Sequence, residues 1–282
     1  MRQVNGSARI SPSDCWSGSA ATTIGSVADV NGVATFGEAA LAFFLAAHFA
    51  PAALAQVPSP FASISPFSSA SGDQPPAPWR VVGVPGGKIP LTTYVIADID
   101  GSRALRVEAN KSYGNLVHPI TSVSPEAGVR LRWRWRLEEP LRSADLRQRS
   151  GDDSPLKVCA LFDMPLEKLG VVDRSLLRMA RSATGEKLPS ATLCYVWDHA
   201  LATGTLVRNA YSGRVRMIVV NSGDQRLGQW LNHDRDLAAD FQRAFGEESD
   251  VMPPLQAVLV GADADNTGGR SLGWVGNVSF SP

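Results

Sequence analysis

Little in this sequence favours a protein driven by charge or built around metals. Lys and Arg together number 27, as do Asp and Glu, so the formal net charge is zero. The basic excess behind generic binding to DNA, RNA or anionic lipid is missing, and no nucleic-acid partner is expected. Three cysteines and four histidines are too few for a zinc-finger or iron–sulfur framework. There is no Walker phosphate loop, no H-E-x-x-H and no C-x-x-C. Long apolar runs are scarce too. Ala39–Ala55 is the clearest, but His48 and Pro51 interrupt it, and it is short for a bilayer span, which takes about 20 apolar residues. What remains is an ordinary core-forming composition, 44% apolar and 19% charged.

The run at 39–55 ends in Ala53-Leu54-Ala55, the small-x-small pattern read by signal peptidase, which places Gln56 at the mature N-terminus. A buried helix is the competing reading, since Glu38 precedes the run where a positive segment is expected. Residues 1–37 show no hydrophobic period, as expected if translation starts downstream, at a codon such as that of Val30 or Val33. Residues 1–55 therefore read as a leader with a signal peptide. Residues 56–78, rich in Pro and Ser, read as an extended tether. Residues 79–282 read as one folded domain of a periplasmic or secreted protein, with no integral span in the mature chain.

From Trp79 onward the dominant period is two. In Val129–Leu137 the apolar side chains, including Trp133 and Trp135, alternate with Arg130, Arg132, Arg134 and Arg136. Further strands are expected at 91–96, 104–109, 156–162, 192–197, 215–220, 256–261 and 273–280. Helical spacing predicts Val172–Ser182 and Asn232–Phe245. Many short strands with one or two short helices and no strand–helix alternation imply an all-β fold, an antiparallel β-sandwich of jelly-roll type.

The polar residues suggest several candidate sites. Asp263, Asp265 and Asn266 crowd a glycine-bounded turn, an oxygen-rich density that is either a Ca²⁺ site through Asp263 and Asp265 or a hairpin whose side chains bond its own backbone. Trp274 occupies the place of the bidentate acid, so the turn is not an EF-hand. Arg132 or Arg134 is expected to meet at least one of Asp152, Asp153, Asp263 and Asp265 in an ionic cluster open to solvent on one side. Asp198 and Arg235 flank the two polar histidine contexts, His199 and His233, and either histidine is a candidate general base or a surface residue. Asp152, Asp153 and His233 are the catalytic candidates; Arg132, Arg134, Asp152, Asp153, Asp198, Arg235, Asp263, Asp265 and Asn266 are the ligand-binding ones. Cys159 and Cys194 sit in apolar strands, either bonded to each other or as two buried thiols.

The order LRWRWR at 131–136, Asp152-Asp153, Tyr195-Val196-Trp197, Asp240-Phe241 with Ala244-Phe245-Gly246-Glu247, and Asp263-Ala264-Asp265-Asn266-Thr267-Gly268 resembles the DUF3047 family of bacterial exported proteins. The resemblance runs from about Trp79 to Phe280, with a departure in the arginine-rich segment Met164–Lys187. It implies an exported, β-rich single domain and supplies no catalytic set. The reading that follows is a binding module for an acidic carbohydrate, an envelope glycan or another small anionic ligand. The alternatives are a glycoside hydrolase or lyase using the Asp cluster, or a structural envelope protein.

Overall fold

The computed structural model describes residues 63–84, 86–123, 128–184 and 187–281. The apolar run at 39–55 and Gln56 lie outside them. Among the described residues thirteen strands form two sheets. The larger contains β1 (Arg80–Val82), β4 (Tyr113–Val123), β6 (Lys157–Phe162), β7 (Ala191–Asp198), β8 (Leu206–Arg208), β9 (Val215–Ser222) and β11 (Leu255–Asp263), in the order β1-β4-β11-β6-β7-β9-β8. The smaller contains β2 (Thr93–Ile99), β3 (Ser102–Asn110), β5 (Arg130–Glu139), β10 (Leu231–Asp236) and β12 (Arg270–Val275), in the order β10-β5-β12-β3-β2, with β13 (Ser279–Ser281) also paired to β5. All ladders are antiparallel except β7 with β9. Among the described residues the α-helices are α1 (Val171–Thr184) and α2 (Leu237–Phe245). The chain is the β-sandwich expected from its strand pattern.

The core lies between the sheets. Alternation along β5 sends Leu131, Trp133, Trp135 and Leu137 inward, where Trp133 packs 5.0 Å from Tyr195 and Trp135 6.3 Å from Trp197, between ring centroids. The arginines take the outward face, each opposite a residue of β10 or β12.

Three expectations need correction. The Pro/Ser-rich segment is no tether over its described part: Ile64 and Phe67 are buried, the Phe67 ring packs tilted 4.9 Å from Trp79, and the Trp79 indole N–H donates to the Ser65 carbonyl. Two aromatic rings and an isoleucine draw the segment onto the sandwich despite its prolines. The helix expected at 232–245 begins only at Leu237, because 231–236 pair with β5 and Asp236 caps the helix by accepting from the Ala239 N–H. The strand expected at 273–280 is two strands, β12 and β13, separated by Gly276-Asn277-Val278.

Candidate functional site

The outward face of the larger sheet forms a cleft of about 1140 Å³. Its floor is apolar. While Val158, Ala160 and Phe162 of β6 enter the core, Cys159 and Leu161 join Cys194, Ala257, Leu259 and Val117 in a second apolar cluster outside it. Cys159 and Cys194 face each other across the β6–β7 ladder and form a disulfide, so of the two readings of these cysteines the structure has the bonded one.

One end of the cleft is polar, and its parts come from β4, β6, β11, the segments before β6 and after β11, and the connection between β8 and β9. Asp263 closes β11; one oxygen accepts the Ser154 backbone N–H and the other pairs with Lys157 at 2.8 Å. The Lys157 ammonium also lies over the Tyr113 ring. Gly261 provides the room for this, since a Cβ there would stand 2.6 Å from Asn115 Oδ1 and 2.7 Å from Lys157 Cε. Asp153, 1% exposed, holds the following turn closed by accepting from the Asn266 N–H and amide and from the Thr267 N–H and hydroxyl. Tyr211 donates to Asn266 Oδ1, and Asn209 donates to Asp152 at 2.5 Å.

This leaves Asp152 and Asp265 as the carboxyls not consumed by a cation or by the turn backbone. Burial pushes Asp152 up to about 6, despite the Asn209 hydrogen bond, and burial followed by the neighbouring Asp153 raises Asp265 as well. Three acceptors lining the cleft are buried without a hydrogen-bond partner: Asn115 Oδ1 and Asp265 Oδ1 at the polar end, and Gln256 Oε1 near the start of β11.

The raised Asp152 has a stability consequence. Below the ordinary carboxyl value both the folded and unfolded states are protonated. As pH rises from about 4 to about 6 only the unfolded state ionises, so stability falls through that window. Asp152→Asn keeps an acceptor for Asn209 and removes this loss. With allowance for solvent screening, the variant is expected to gain about 1 kcal/mol over the wild type at pH 7.5 and nothing at pH 3.5. Thermal melts at the two pH values check this.

The remaining predicted residues are elsewhere. Arg132 and Arg134 lie on the outward face of the other sheet and do not meet Asp152, Asp153, Asp263 or Asp265. Arg130 and Arg132 share Asp234, and Arg136 pairs with Asp100 and Glu138. The expected Arg–Asp cluster is therefore corrected: the alternation that buries the tryptophans turns the arginines away from the cleft. Arg235 holds Asp240, which also accepts from the Tyr195 hydroxyl. Asp198 accepts the N–H groups of Ala200 and Leu201 and so shapes a turn. His233 is stacked 4.8 Å from Trp133, its Nε2 lies 2.9 Å from Asn221 Oδ1, and burial followed by Arg235 lowers it to about 4. This neutral, packed imidazole is outside the cleft and is no general base there. Among the described residues no three His, Cys, Asp or Glu side chains converge as a metal site. Of the two residues proposed for Ca²⁺, Asp263 is already bound by Lys157.

Tyr113, Asn115, Asn209 and Tyr211 were not singled out from the sequence. Tyr113 and Asn115 belong to β4, whose Gly, Asn, His and Pro read as turn residues, and only an alternation of Asn115, Val117 and Pro119 on one face could have revealed them. Gly269-Arg270-Ser271-Leu272-Gly273 spells a nucleophile elbow, but Ser271 is fully buried within β12 rather than on a strand-to-helix turn.

Comparison with curated protein sequences gives no match. Among solved structures the chain is similar to a glycoside hydrolase domain, Endo-D, of Streptococcus pneumoniae R6, at 12% identity and TM-score 0.29. That similarity covers 72% of this chain and 21% of the other, so the chain spans about a fifth of that protein. The xyloglucanase domain of NopAA from Sinorhizobium fredii, solved with cellobiose, is similar at 9% identity and TM-score 0.35, over 73% of this chain and 96% of that one. The cellulose-induced protein Cip1 is similar at 12% identity and TM-score 0.32, over 72% and 90% of the two chains. These likenesses are ones of outline and assign no activity. Residues 77–279 match the family described as "Protein of unknown function (DUF3047)", and the chain belongs to that family.

Proposed function

We propose that the protein is an exported binding module whose cleft takes a neutral glycan head group bearing an apolar portion. The observation that carries this reading is the pair of unpartnered acceptors, Asn115 Oδ1 and Asp265 Oδ1, at the polar end of an otherwise apolar cleft. Hydroxyl donors from a sugar satisfy such acceptors, whereas an anion at that polar end meets Asp152, Asp263 and Asp265 against Lys157, a cation already paired. The arginines that favoured an acidic sugar are on the opposite surface, so the cleft reading is for a neutral one. An aliphatic floor of Leu161, Ala257 and Leu259 suits an alkyl or acyl chain better than a run of stacked sugar rings, for which aromatic platforms are the usual support.

Octyl β-glucoside below its micelle concentration is a direct probe. It is expected to bind the full chain, and Asp265→Ala or Asn115→Ala should each weaken it roughly tenfold with an unchanged melting temperature. Equal binding by wild type and both variants, or no binding at all, rejects the cleft reading. The exported location is supported by the apolar run ending at Ala55 and by the Cys159–Cys194 bond, which persists in oxidising compartments. Intact-mass measurement of the exported product is expected to show a chain beginning at Gln56; a product retaining residues 40–55 counts against it.

A further inference from the structure

The outward face of β5 has one arginine without an acidic partner. Arg130 and Arg132 share Asp234, and Arg136 holds Asp100 and Glu138, but among the described residues no carboxylate pairs with Arg134. Its position is nevertheless fixed. The guanidinium carbon lies 4.6 Å from the centroid of the Trp230 ring. The side chain also crosses Gly276, where an added Cβ would stand 2.7 Å from Arg134 Cγ and 2.9 Å from Nε. A ring on one side and a bare backbone on the other hold the guanidinium in place before any ligand arrives.

Arg134 lines a second pocket, of about 510 Å³, together with Arg103 and Arg132. Arg103 donates through one terminal nitrogen to the Gly72 carbonyl and keeps its Nε buried without a partner. Asp234 is the carboxylate in this lining, and it is already divided between two arginines. Three arginines therefore line a concavity with one carboxylate, and that carboxylate is shared by Arg132 within the lining and Arg130 outside it. Ser102, Ser279 and Asn232 complete its wall with groups that bond hydroxyls.

We propose that this pocket is an anion site, separate from the cleft, for the oxyanion of a small hydroxylated molecule: the carboxylate of a sugar acid or the phosphate of a sugar phosphate. The planar fork of Arg134 meets two oxygens of such a group at once, Arg132 and Arg103 add positive potential, and the serines and Asn232 bond the carrier's hydroxyls. The reading does not rest on the cleft proposal, since the two sites occupy opposite sheets and share no residue.

Calorimetric titration of the full chain at low salt with glucuronate, glucose 6-phosphate, inorganic phosphate and glucose tests it. At least one of the two sugar anions is expected to bind and glucose is not; the tighter anion identifies carboxylate or phosphate as the natural group. Arg134→Gln, a change on an outward face, should weaken the sugar anion at least about tenfold without altering the melting temperature. Arg134→Lys should recover little of that loss, because an ammonium lacks the fork. Gly276→Ala should weaken binding as well, by pushing Arg134 out of place. No anion binding up to about 10 mM, equal binding of glucose, or an affinity unchanged in Arg134→Gln overturns the site. Inorganic phosphate binding as tightly as glucose 6-phosphate, with no binding of glucuronate, overturns the sugar carrier.

Discussion

Trp135→Ala is expected to destabilise the protein by about 3–5 kcal/mol, a large part of the stability of a typical domain. Trp135 is fully buried, packs edge-on against Trp133 and His233, and donates its indole N–H to Asn221 Oδ1 at 2.7 Å. Alanine leaves a cavity between the sheets and removes one of the two donors on Asn221. Trp133→Ala should cost a similar amount, since Trp133 bridges Tyr195 and His233. The phenylalanine variants separate packing from hydrogen bonding. The Trp133 indole nitrogen is buried without a partner, so Trp133→Phe should be tolerated better than Trp135→Phe, which breaks a made bond. Urea midpoints for the four variants decide this. Unchanged stability in both alanine variants would contradict the inward orientation of the tryptophans.

Asp153→Ala is the second large effect, expected at about 3–5 kcal/mol despite the small change in volume. The Asp153 carboxylate is almost completely buried and accepts from both the backbone and side chain of Asn266 and of Thr267. Without it, several donors of the 264–268 turn are left unpaired at the protein's edge, and the turn is free to move. Asp265 sits in that turn, so binding at the cleft should fall along with stability. Asp265→Ala, in contrast, should lose binding alone. Melting temperature and octyl β-glucoside titration on both variants distinguish the two roles. If Asp153→Ala melts like the wild type, the carboxylate does not hold the turn.

The sandwich was legible because its strands alternate so clearly. Residues 130–139 set an unbroken row of large apolar side chains against arginines, and such a row has one stable placement, with the tryptophans inside. β4 was not legible. Its eleven residues include Gly114, Asn115, His118 and Pro119, which locally favour turns, yet it lies between β1 and β11. Pro119 is accommodated because β1 pairs only as far as Val117, so that side of the ladder demands no N–H from residue 119. Sheet pairing overrode local preference there, and two residues of the cleft went unseen with it.

The acidic half of the candidate site was partly visible, since Asp152, Asp153, Asp263, Asp265 and Asn266 do gather at one place. What the sequence could not convey was the division of labour among them: Asp153 and Asp263 serve the protein itself, and Asp152 and Asp265 face the cleft. Nor could strand period alone say which outward surface each polar group joins, because both sheets have an outer face and the period is identical on each. That ambiguity is why the arginines and the aspartates were expected together and are found apart.

The bond between Cys159 and Cys194 closes a loop that contains all of α1 and its flanking segments. The helix displays Val172, Leu176 and Met179 to solvent together with the basic Arg178, a residue type after which a trypsin-like protease cuts. A cut there does not divide the molecule. The pieces before and after it stay joined through sulfur, and β6 and β7 stay side by side in the same ladder. Such nicked protein separates into two fragments on a denaturing gel only after a thiol is added, so without reductant it is indistinguishable there from a chain that was never cut.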